Sequence, residues 1–353
     1  MKNLKKRTLA IALCVALAAM LALAGCSQSS NSSEESTSAD DSATTVSDTA
    51  AKLDPNTDYT KPFFCMIMGG DTRDGTVAES EWNDSNSHSD VMILAYVNPS
   101  KKYISLLSIP RDTDVTYNGK EMKINTIMYE DGPEATCKFL EDKLDISIPY
   151  YFEMNFVQWA GFVDNMNGVD VDVPVALSWK DVISGENVKL STGKQTLNGK
   201  EALVFARDRH QYSGAGEAVR QINNRNMVKS LITKVAKSSN PTSYADTLIN
   251  GCQTNMNSAE LKEYMTNFLT KDGKVSWNLG TAPWEGDFFT PDYWAVNADW
   301  DTVKSEIKAM KNGTDLTSIV ALTDVKAGTN LLAHLCCSNI GKAGRGMLCR
   351  LSL

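Results

Sequence analysis

The sequence has few of the side chains that most often bind metals tightly. Its 353 residues include only three histidines, and its eight cysteines form no Cys-x-x-Cys pair. This scarcity excludes a zinc or iron–sulfur site of the usual spacing. Positive charge is also in the minority, with 35 Lys and Arg against 43 Asp and Glu and a formal net charge of −8. A general nucleic-acid-binding surface is therefore excluded, and an anionic ligand must be held by a local group of cations.

Long apolar runs are absent after the first 25 residues, which excludes a polytopic membrane protein. The first residues themselves form a basic head followed by the apolar stretch 9–23, the order found in secretory signals. The following Ala-Gly-Cys resembles the bacterial lipoprotein signal, which is cleaved before a cysteine that receives lipid. We therefore predict a signal peptide over 1–25 and lipidation of Cys26, with a plain signal peptide or an uncleaved anchor as the alternative.

The two ends of the remaining chain lack the composition of a packed domain. Residues 27–52 are mostly Ser, Thr, Ala, Asp and Glu, with too little apolar surface to offset the entropy of ordering. We predict that 26–55 is a flexible tether with a span of roughly 25–30 Å. Loss of the four positive charges of the signal would change −8 to −12, so a polybasic membrane contact is not expected. Residues 321–353 show no periodicity, and we predict an irregular, disordered tail.

Apolar runs separated by turn residues mark the body of the chain. The pattern predicts an antiparallel hairpin over 91–97 and 104–109, with further strands over 63–68 and 169–173. Helices are predicted over 135–144, 156–166 and 218–237, the last being amphipathic, while 201–205 fits either a helix or a strand. Strands interleaved with helices indicate an α/β sandwich with a mixed sheet. We place this domain at 60–270 and a C-terminal extension at 271–320.

Arginines collect where predicted strands end. Arg111 directly follows one strand, Arg207 and Arg209 follow a short apolar segment, and Arg220 and Arg225 lie on the long helix. Open α/β sheets bind ligands at strand ends, and planar guanidinium groups suit phosphate oxygens. Each arginine alone is more often a solvated surface charge. Arg207-x-Arg209 would nevertheless place both side chains on one face if extended, and the group predicts a phosphate or pyrophosphate clamp.

Two carboxylates occupy equivalent places on neighbouring predicted strands. Asp71 ends the first strand and Asp90 begins the second. If the strand ends meet at one sheet edge, the pair offers the oxygen ligands that Mg²⁺ prefers, with phosphate completing its shell. The alternative is that both are turn or capping residues.

Cysteine and tryptophan leave two further questions open. Cys65 lies in a predicted core strand and is expected to be a buried free thiol, whereas Cys137 and Cys252 could pair in an exported protein. Tryptophans in the C-terminal region could stack on sugars, although packing is the more common role. They are Trp277, Trp284, Trp294 and Trp300.

Several ordered segments together resemble the LytR-CpsA-Psr family, whose members act on cell-wall polymers outside bacterial cells. The resemblance runs from about residue 63 to 231 and more weakly to 268. The segments that carry it are Gly70-Asp71-Thr72-Arg73, Ser89-Asp90, SLLSIPRDT at 105–113, Lys123-Ile124-Asn125, Gly132-Pro133, Asn155-Phe156, GVDVDVP at 168–174, Leu197-Asn198-Gly199 and Arg207-x-Arg209. Family members transfer glycopolymers such as teichoic acids or capsule from an undecaprenyl-pyrophosphate carrier to peptidoglycan. The resemblance implies a three-layer αβα sandwich around a mixed central sheet, with the lipid tail in an apolar cavity.

The resemblance also implies roles for individual residues. Asp71 and Asp90 are expected to bind Mg²⁺, and the catalytic phosphate contacts are expected from Arg111, Arg207, Arg209 and Arg220. Asp112 or Glu217 is expected to accept a proton from the acceptor hydroxyl, and the choice between them stays open. Substrate contacts are expected from Arg73, His88, Lys123, Asn125, Asn224 and Arg225.

This chain departs from the family pattern in two places. His88 stands where the family usually has Arg, so one phosphate contact is weaker or pH-dependent at a residue that is largely neutral near pH 7. On the long helix, Glu217 and Asn224 replace Asp and Gln, and an expected Arg is absent at Asn223. Arg225 is the candidate substitute for it.

The leading hypothesis is a Mg²⁺-dependent phosphotransferase that moves a glycopolymer from polyprenyl pyrophosphate to peptidoglycan. It would work at the outer face of the cell membrane of a Gram-positive bacterium, anchored through Cys26. Metal and arginines would stabilise charge on the transferred and leaving phosphates. The alternatives are a pyrophosphatase that acts on the same carrier and a non-enzymatic lipoprotein that binds polyprenyl phosphate or wall polymer.

Overall fold

The computed structural model describes residues 52–72, 87–212, 216–269, 273–290 and 293–316. The predicted signal peptide, Cys26, most of the predicted tether, Arg73 and the tail 321–353 lie outside these ranges. Strands in the described ranges are β1 (Phe63–Gly70), β2 (Ser89–Asn98), β3 (Tyr103–Ser108), β4 (Asp114–Tyr117), β5 (Lys120–Lys123), β6 (Tyr150–Met154), β7 (Val169–Val173), β8 (Leu177–Lys180), β9 (Asn187–Leu190), β10 (Gly193–Leu197), β11 (Gln253–Thr254), β12 (Ser276–Thr281), β13 (Trp284–Thr290) and β14 (Tyr293–Ala298). The α-helices are α1 (Thr126–Leu144), α2 (Phe156–Asn165), α3 (Gly199–Arg207), α4 (Gly216–Ala236), α5 (Tyr244–Asn250), α6 (Ser258–Phe268) and α7 (Trp300–Asn312).

A mixed sheet in the order β11-β6-β1-β2-β3-β12 forms the central layer. β1 and β2 pair antiparallel, as do β2 and β3, whereas β6 runs parallel to β1 and β12 runs parallel to β3. The predicted hairpin and the mixed sheet are therefore confirmed.

Alternation along the central strands separates two apolar faces. In β1, Phe64, Met66 and Met68 pack in one cluster with α1 and α7, while Cys65 belongs to a second cluster with residues of α4 and α6. Successive strand side chains point to opposite faces, so a strand covered on both faces is apolar throughout. The result is the three-layer αβα arrangement, with helices on both sides of the sheet.

The helix α1 begins nine residues before the predicted start at 135. It contains a kink at Gly132, whose φ of 85° is left-handed, followed by Pro133 within the helix. Proline removes one backbone donor and disfavours a helical residue before it. The Gly-Pro pair therefore hides the first turns of α1 from a periodicity argument.

Other predictions are resolved by the described residues. Segment 201–205 lies within the helix α3, which an Asn198–Glu201 capping box begins. Cys65 is a buried free thiol as predicted, but Cys137 and Cys252 are also free, so the suggested pairing between them is wrong. Burial of Cys65 and Cys137 raises the pKa of each thiol to about 12. Among the described helices, none combines the length and apolar character needed to cross a membrane.

Candidate active site

A bulge in the central sheet places Asp90 at the end of the hairpin formed by β1 and β2. Gly69 lies opposite Val91 and Gly70 lies opposite Ser89, so Asp90 is the extra residue on β2. Bulges disrupt the ladder locally and redirect a side chain. The bulge therefore turns the Asp90 carboxylate away from the regular pairing of the sheet.

Two arginines from different parts of the chain meet at Asp90. Nη1 of Arg111, which follows β3, donates to Oδ1 of Asp90 over 2.5 Å. Nη1 of Arg220, on α4, donates to the backbone carbonyl of Asp90 over 2.9 Å. Burial lowers the pKa of Arg111, but the carboxylates of Asp90, Glu217 and Asp112 raise it more, and the net shift is upward. Arg111 therefore stays charged at this end of the sheet.

The other two predicted clamp arginines lie at the end of α3 and just after it. Arg207 is the last residue of that helix and Asp208 is extended, so the condition of an extended Arg207-x-Arg209 segment is met only in part. The Arg207 guanidinium lies over the Phe156 ring at 4.7 Å from its centroid, a distance that allows a cation–π contact. Arg209 packs its backbone against the start of α4, where a Cβ added to Gly216 would lie 2.0 Å from the Arg209 carbonyl oxygen. Glycine at 216 thus permits the close approach of Arg209 to the helix that carries Arg220.

A cavity of about 450 Å³ lies between the sheet and the helices α4 and α6. Its walls are mostly apolar, and the predicted site residues that line it are Asp90, Arg111, Arg207, Arg209, Arg220 and Asn224. Apolar wall residues include Ile67, Ala95, Leu106, Val228, Ile232, Leu261 and Phe268. The cavity therefore combines a long apolar wall with four guanidinium groups, which suits an amphiphile with an apolar chain and an anionic group.

The cavity reaches the surface beside the arginines. Among the described residues that line it, the exposed ones are Trp179, Arg209 and His210, whereas the others are buried or half-buried. A ligand with its anionic group at the arginines would therefore continue into solvent past these three side chains.

The two predicted proton acceptors are held by cations. The Glu217 carboxylate accepts hydrogen bonds from Nε and Nη2 of Arg220 over 2.9 and 2.6 Å. Burial raises the pKa of Glu217, but Arg220 lowers it more, and the net shift is downward. Asp112 accepts Lys123 Nζ over 2.7 Å and lies 3.4 Å from Arg111 Nε. Neither carboxylate lines the cavity, and each holds an arginine in place, Glu217 that of Arg220 and Asp112 that of Arg111. Their role as proton acceptor stays a prediction.

Arg225 is also corrected, because it points into the sheet and away from the cavity. Its Nη1 donates to Ser108 Oγ over 3.1 Å, to the Gly280 carbonyl over 2.5 Å and to Thr281 Oγ1 over 3.0 Å. Burial lowers its pKa to about 10. Arg225 therefore ties α4 to β3 and β12 and does not replace the missing phosphate contact.

Lys123 and Asn125 likewise support the site from outside the cavity. Lys123 holds Asp112, and the Asn125 backbone N–H donates to the Arg111 carbonyl over 3.2 Å. The Asn125 carbonyl accepts a hydrogen bond from the Ser89 N–H over 3.3 Å. Through these two bonds Asn125 connects the loop after β3 to the start of β2. These contacts fix the positions of Arg111 and Asp90 relative to each other.

Asp71 and His88 contact each other beside the bulge. The His88 backbone N–H donates to Asp71 Oδ1 over 2.7 Å, and His88 Nδ1 lies 3.6 Å from Asp71 Oδ2. The His88 ring stacks on Tyr129 with centroids 4.6 Å apart. Asp71 is thus held at the same strand end as Asp90, as the sequence predicted.

Several residues near the site are not predicted by the sequence patterns. Phe156 supports Arg207, and Trp179 and His210 lie where the cavity opens. Glu153, on β6, lies so close to Gly70 that a Cβ there would be 2.3 Å from Glu153 Oε1. Burial raises the pKa of Glu153 to about 7. The Asn155-Phe156 segment was the available signal for Phe156, since Asn155 begins α2 with a capping box.

Comparisons with known proteins agree on one family. Residues 22–312 match the LytR_cpsA_psr family. The polyisoprenyl-teichoic acid–peptidoglycan teichoic acid transferase TagU of Bacillus licheniformis is 30% identical over 223 residues, covering 62% of this chain and 68% of TagU.

Solved structures show the same fold. The crystal structure of TagV from B. subtilis matches with a TM-score of 0.59 at 24% identity, covering 73% of this chain and 99% of TagV. The structure of the LytR-CPS2A-psr family protein YwtF (TagT) with bound octaprenyl pyrophosphate lipid matches with a TM-score of 0.53 at 21% identity, covering 73% and 92% of the two chains.

Proposed function

The chain belongs to the LytR-CpsA-Psr family, and from that premise we propose that it is an extracytoplasmic phosphotransferase that moves a glycopolymer from a polyprenyl-pyrophosphate carrier to peptidoglycan. The observation that carries the proposal is the apolar cavity whose wall includes four arginines. The names of its relatives support the same activity, since TagU is a polyisoprenyl-teichoic acid–peptidoglycan teichoic acid transferase.

The two parts of the carrier, its polyprenyl chain and its pyrophosphate, would bind to chemically different parts of the cavity. The polyprenyl chain would lie between the sheet and α4 and α6, where burial of apolar surface favours binding by about 25 cal/mol per Å². The pyrophosphate would meet Arg111, Arg207, Arg209 and Arg220, whose donors suit phosphate oxygens. The bound octaprenyl pyrophosphate of YwtF (TagT) supports this class of ligand.

The transfer step is a displacement at phosphorus. A peptidoglycan hydroxyl oxygen forms a bond to the phosphorus that carries the sugar, and the bond from that phosphorus to the bridging oxygen breaks. Polyprenyl monophosphate leaves, and the hydroxyl proton is released to solvent. Arg111 and Arg220, fixed around Asp90, would stabilise negative charge on the transferred and leaving phosphates, so positioning and electrostatics supply most of the catalysis.

Magnesium is part of the proposal. The carboxylates of Asp71 and Asp90 have the oxygen donors that Mg²⁺ prefers, and they stand at neighbouring strand ends. The described residues contain no group of three or more His, Cys, Asp or Glu that could hold a metal. Two carboxylates would therefore leave most ligand positions to water and substrate phosphate. A bound Mg²⁺ would supply charge neutralisation at the phosphates.

Anchoring completes the proposal. Lipidation of Cys26 would hold the domain at the outer face of the cell membrane, within reach of a lipid-linked substrate. Intact-mass analysis of membrane-extracted protein should show a diacylglyceryl mass that is absent from Cys26→Ser. A mature chain that begins elsewhere and carries no lipid would contradict this part.

The product distinguishes the proposed activity from its rivals. The full chain, incubated with a glycopolymer on polyprenyl pyrophosphate and with peptidoglycan, should form polymer joined to peptidoglycan through a phosphodiester and release polyprenyl monophosphate. Release of phosphate-terminated polymer into solution would indicate a pyrophosphatase. Binding of the carrier without any product would indicate a scaffold.

A further inference from the structure

One large aromatic side chain is exposed at the cavity opening. Trp179, on β8, is 39% exposed, and the other exposed large apolar residues in the described ranges are Leu53 and Val157. Its exposure leaves part of the indole surface in contact with water. An exposed aromatic side chain beside a ligand cavity is a common feature of binding sites.

The Trp179 ring is held flat against His210. The two ring centroids are 4.8 Å apart and the planes differ by 5°. The two residues come from separate elements, β8 and the short 3₁₀ turn His210–Tyr212. The two rings are therefore stacked beside Arg209, each covering part of one face of the other, and we call them the Trp179–His210 pair.

The hairpin that carries Trp179 is ordered by other contacts. Asp181 is 1% exposed and accepts the Ser184 N–H over 2.7 Å at the turn between β8 and β9. Lys200 of α3 donates to Glu186 over 2.7 Å, and Leu190 of β9 is buried in the core. These contacts hold the hairpin in place without the Trp179 indole, and its 39% exposure leaves one ring face open to a ligand.

The position of the Trp179–His210 pair indicates which part of the substrate would contact it. If the pyrophosphate is at the arginines and the lipid lies in the cavity, the group on the other side of the pyrophosphate passes the exposed lining residues, Trp179, Arg209 and His210. In a lipid-linked glycopolymer this group is the sugar attached to the pyrophosphate. A pyranose presents a flat face of C–H groups, which packs well on an aromatic ring.

We propose that the Trp179–His210 pair binds the carrier-proximal sugar ring of the glycopolymer, with the sugar stacked on the face of the Trp179 indole that His210 does not cover. The proposal rests on the proposed function, because it takes the arginine cluster as the pyrophosphate site. It assigns to this chain a sugar subsite that is separate from the lipid and phosphate contacts.

The test compares two ligands that differ only in the sugar. Binding of the full chain in detergent micelles is measured by calorimetry with a short-chain polyprenyl pyrophosphate and with the same carrier bearing one hexosamine ring. The sugar should strengthen binding to the wild type about 3- to 10-fold, the size expected for an aromatic face-to-face contact. Trp179→Ala should lose that gain while its affinity for the bare carrier stays within about 2-fold.

Two further variants serve as controls. Trp179→Phe keeps a flat ring and should retain most of the gain from the sugar. Leu53→Ala removes another exposed apolar side chain that does not line the cavity, and it should bind both ligands like the wild type.

Several outcomes would overturn the sugar subsite while leaving the transferase proposal intact. In one, the wild type binds both ligands equally. In another, Trp179→Ala weakens both ligands to the same extent. A third is an unchanged affinity of Trp179→Ala for both ligands with a raised KM for peptidoglycan, which would assign the pair to the acceptor. If the wild type binds neither ligand, the proposed function and the sugar subsite both fail.

Discussion

Arg111 and Asp90 form a hydrogen-bonded ion pair of 2.5 Å across the ends of β3 and β2. The pair is half-buried, with side-chain exposures of 18% and 25%. Asp90 lies in a bulge, and its backbone carbonyl also accepts a hydrogen bond from Arg220. This one residue of the sheet therefore orients two guanidinium groups toward the cavity. The ends of β2 and β3, with α4, therefore bring the guanidinium groups of Arg111 and Arg220 together.

Replacement of Arg111 should remove a contact to the pyrophosphate. Loss of a charge-assisted hydrogen bond costs roughly 1.5–3 kcal/mol, so Arg111→Ala should slow transfer about 10- to 150-fold, and more if the lost charge acts mainly in the transition state. Arg111→Lys should recover part of the rate, since lysine keeps the charge but loses the planar fork. Initial transfer rates and circular dichroism would check activity and folding together.

Lys138→Ala is the matched control for Arg111→Ala, because it removes a cation from an exposed pair with Asp142. It should transfer at the wild-type rate. A folded Arg111→Ala that transfers as fast as the wild type would contradict the phosphate clamp.

Magnesium and the carrier should strengthen each other's binding. The metal would reduce repulsion between Asp71, Asp90 and the pyrophosphate, and linkage makes the coupling reciprocal. Calorimetric titration of Mg²⁺ should show weak binding to the chain alone and tighter binding with a short-chain polyprenyl pyrophosphate. Asp71→Asn and Asp90→Asn should lose this gain. If the affinity for Mg²⁺ is the same with and without the lipid, or is retained in both variants, these carboxylates are turn and capping residues and not metal ligands.

Gly216→Ala should disturb Arg209 through the backbone. The new Cβ would lie 2.0 Å from the Arg209 carbonyl oxygen, so the start of α4 or the Arg209 segment must move. We expect a loss of about 1–3 kcal/mol in the free energy of unfolding, together with slower transfer. Denaturant unfolding and transfer rates measure the two effects.

Gly161→Ala provides the comparison within another helix. A Cβ at Gly161 would meet no atom within 4 Å, and the residue is exposed within α2. Alanine there should raise the free energy of unfolding by roughly 0.5–1 kcal/mol. Equal stability of Gly216→Ala and the wild type would show that the close approach at Arg209 is not rigid.

The features of this site that the sequence predicts are those determined by neighbouring residues in the chain. Apolar runs identified the strands, and a strand end identified Arg111, because both follow from neighbouring residues. Helical spacing also carries information about the site. Arg220 and Asn224 are four residues apart and line the cavity together, whereas Arg225 is five residues from Arg220, or about 140° around the helix. That angle alone would have separated Arg225 from the clamp.

Other features of the site depend on contacts between distant segments. The stacking of Trp179 on His210 joins a hairpin to the turn after α3, and nothing in either segment identifies the other. The apolar side chains of α4 and α6 likewise have the spacing of core residues. Sequence alone does not distinguish a packed interface from a cavity wall, since both require the same apolar face.

Glu153 should make stability depend on pH near neutrality. Burial raises its pKa from 4.5 to about 7, so folding favours the protonated form. Its stabilising contribution is complete below pH 4.5 and is lost as the pH rises through about 7. Glu153→Gln removes this titration and should raise the free energy of unfolding at pH 8 by up to roughly 3 kcal/mol, with a much smaller gain at pH 4.5. Urea unfolding of both proteins at the two pH values would measure it, and an equal effect at both would contradict the assignment.

The most direct test of the whole account is a crystal structure of the chain with a polyprenyl pyrophosphate. The account predicts that the pyrophosphate contacts Arg111, Arg207, Arg209 and Arg220 and that the polyprenyl chain lies between the sheet and the helices α4 and α6. A lipid bound on the outer surface, or a pyrophosphate that contacts none of these arginines, would contradict it.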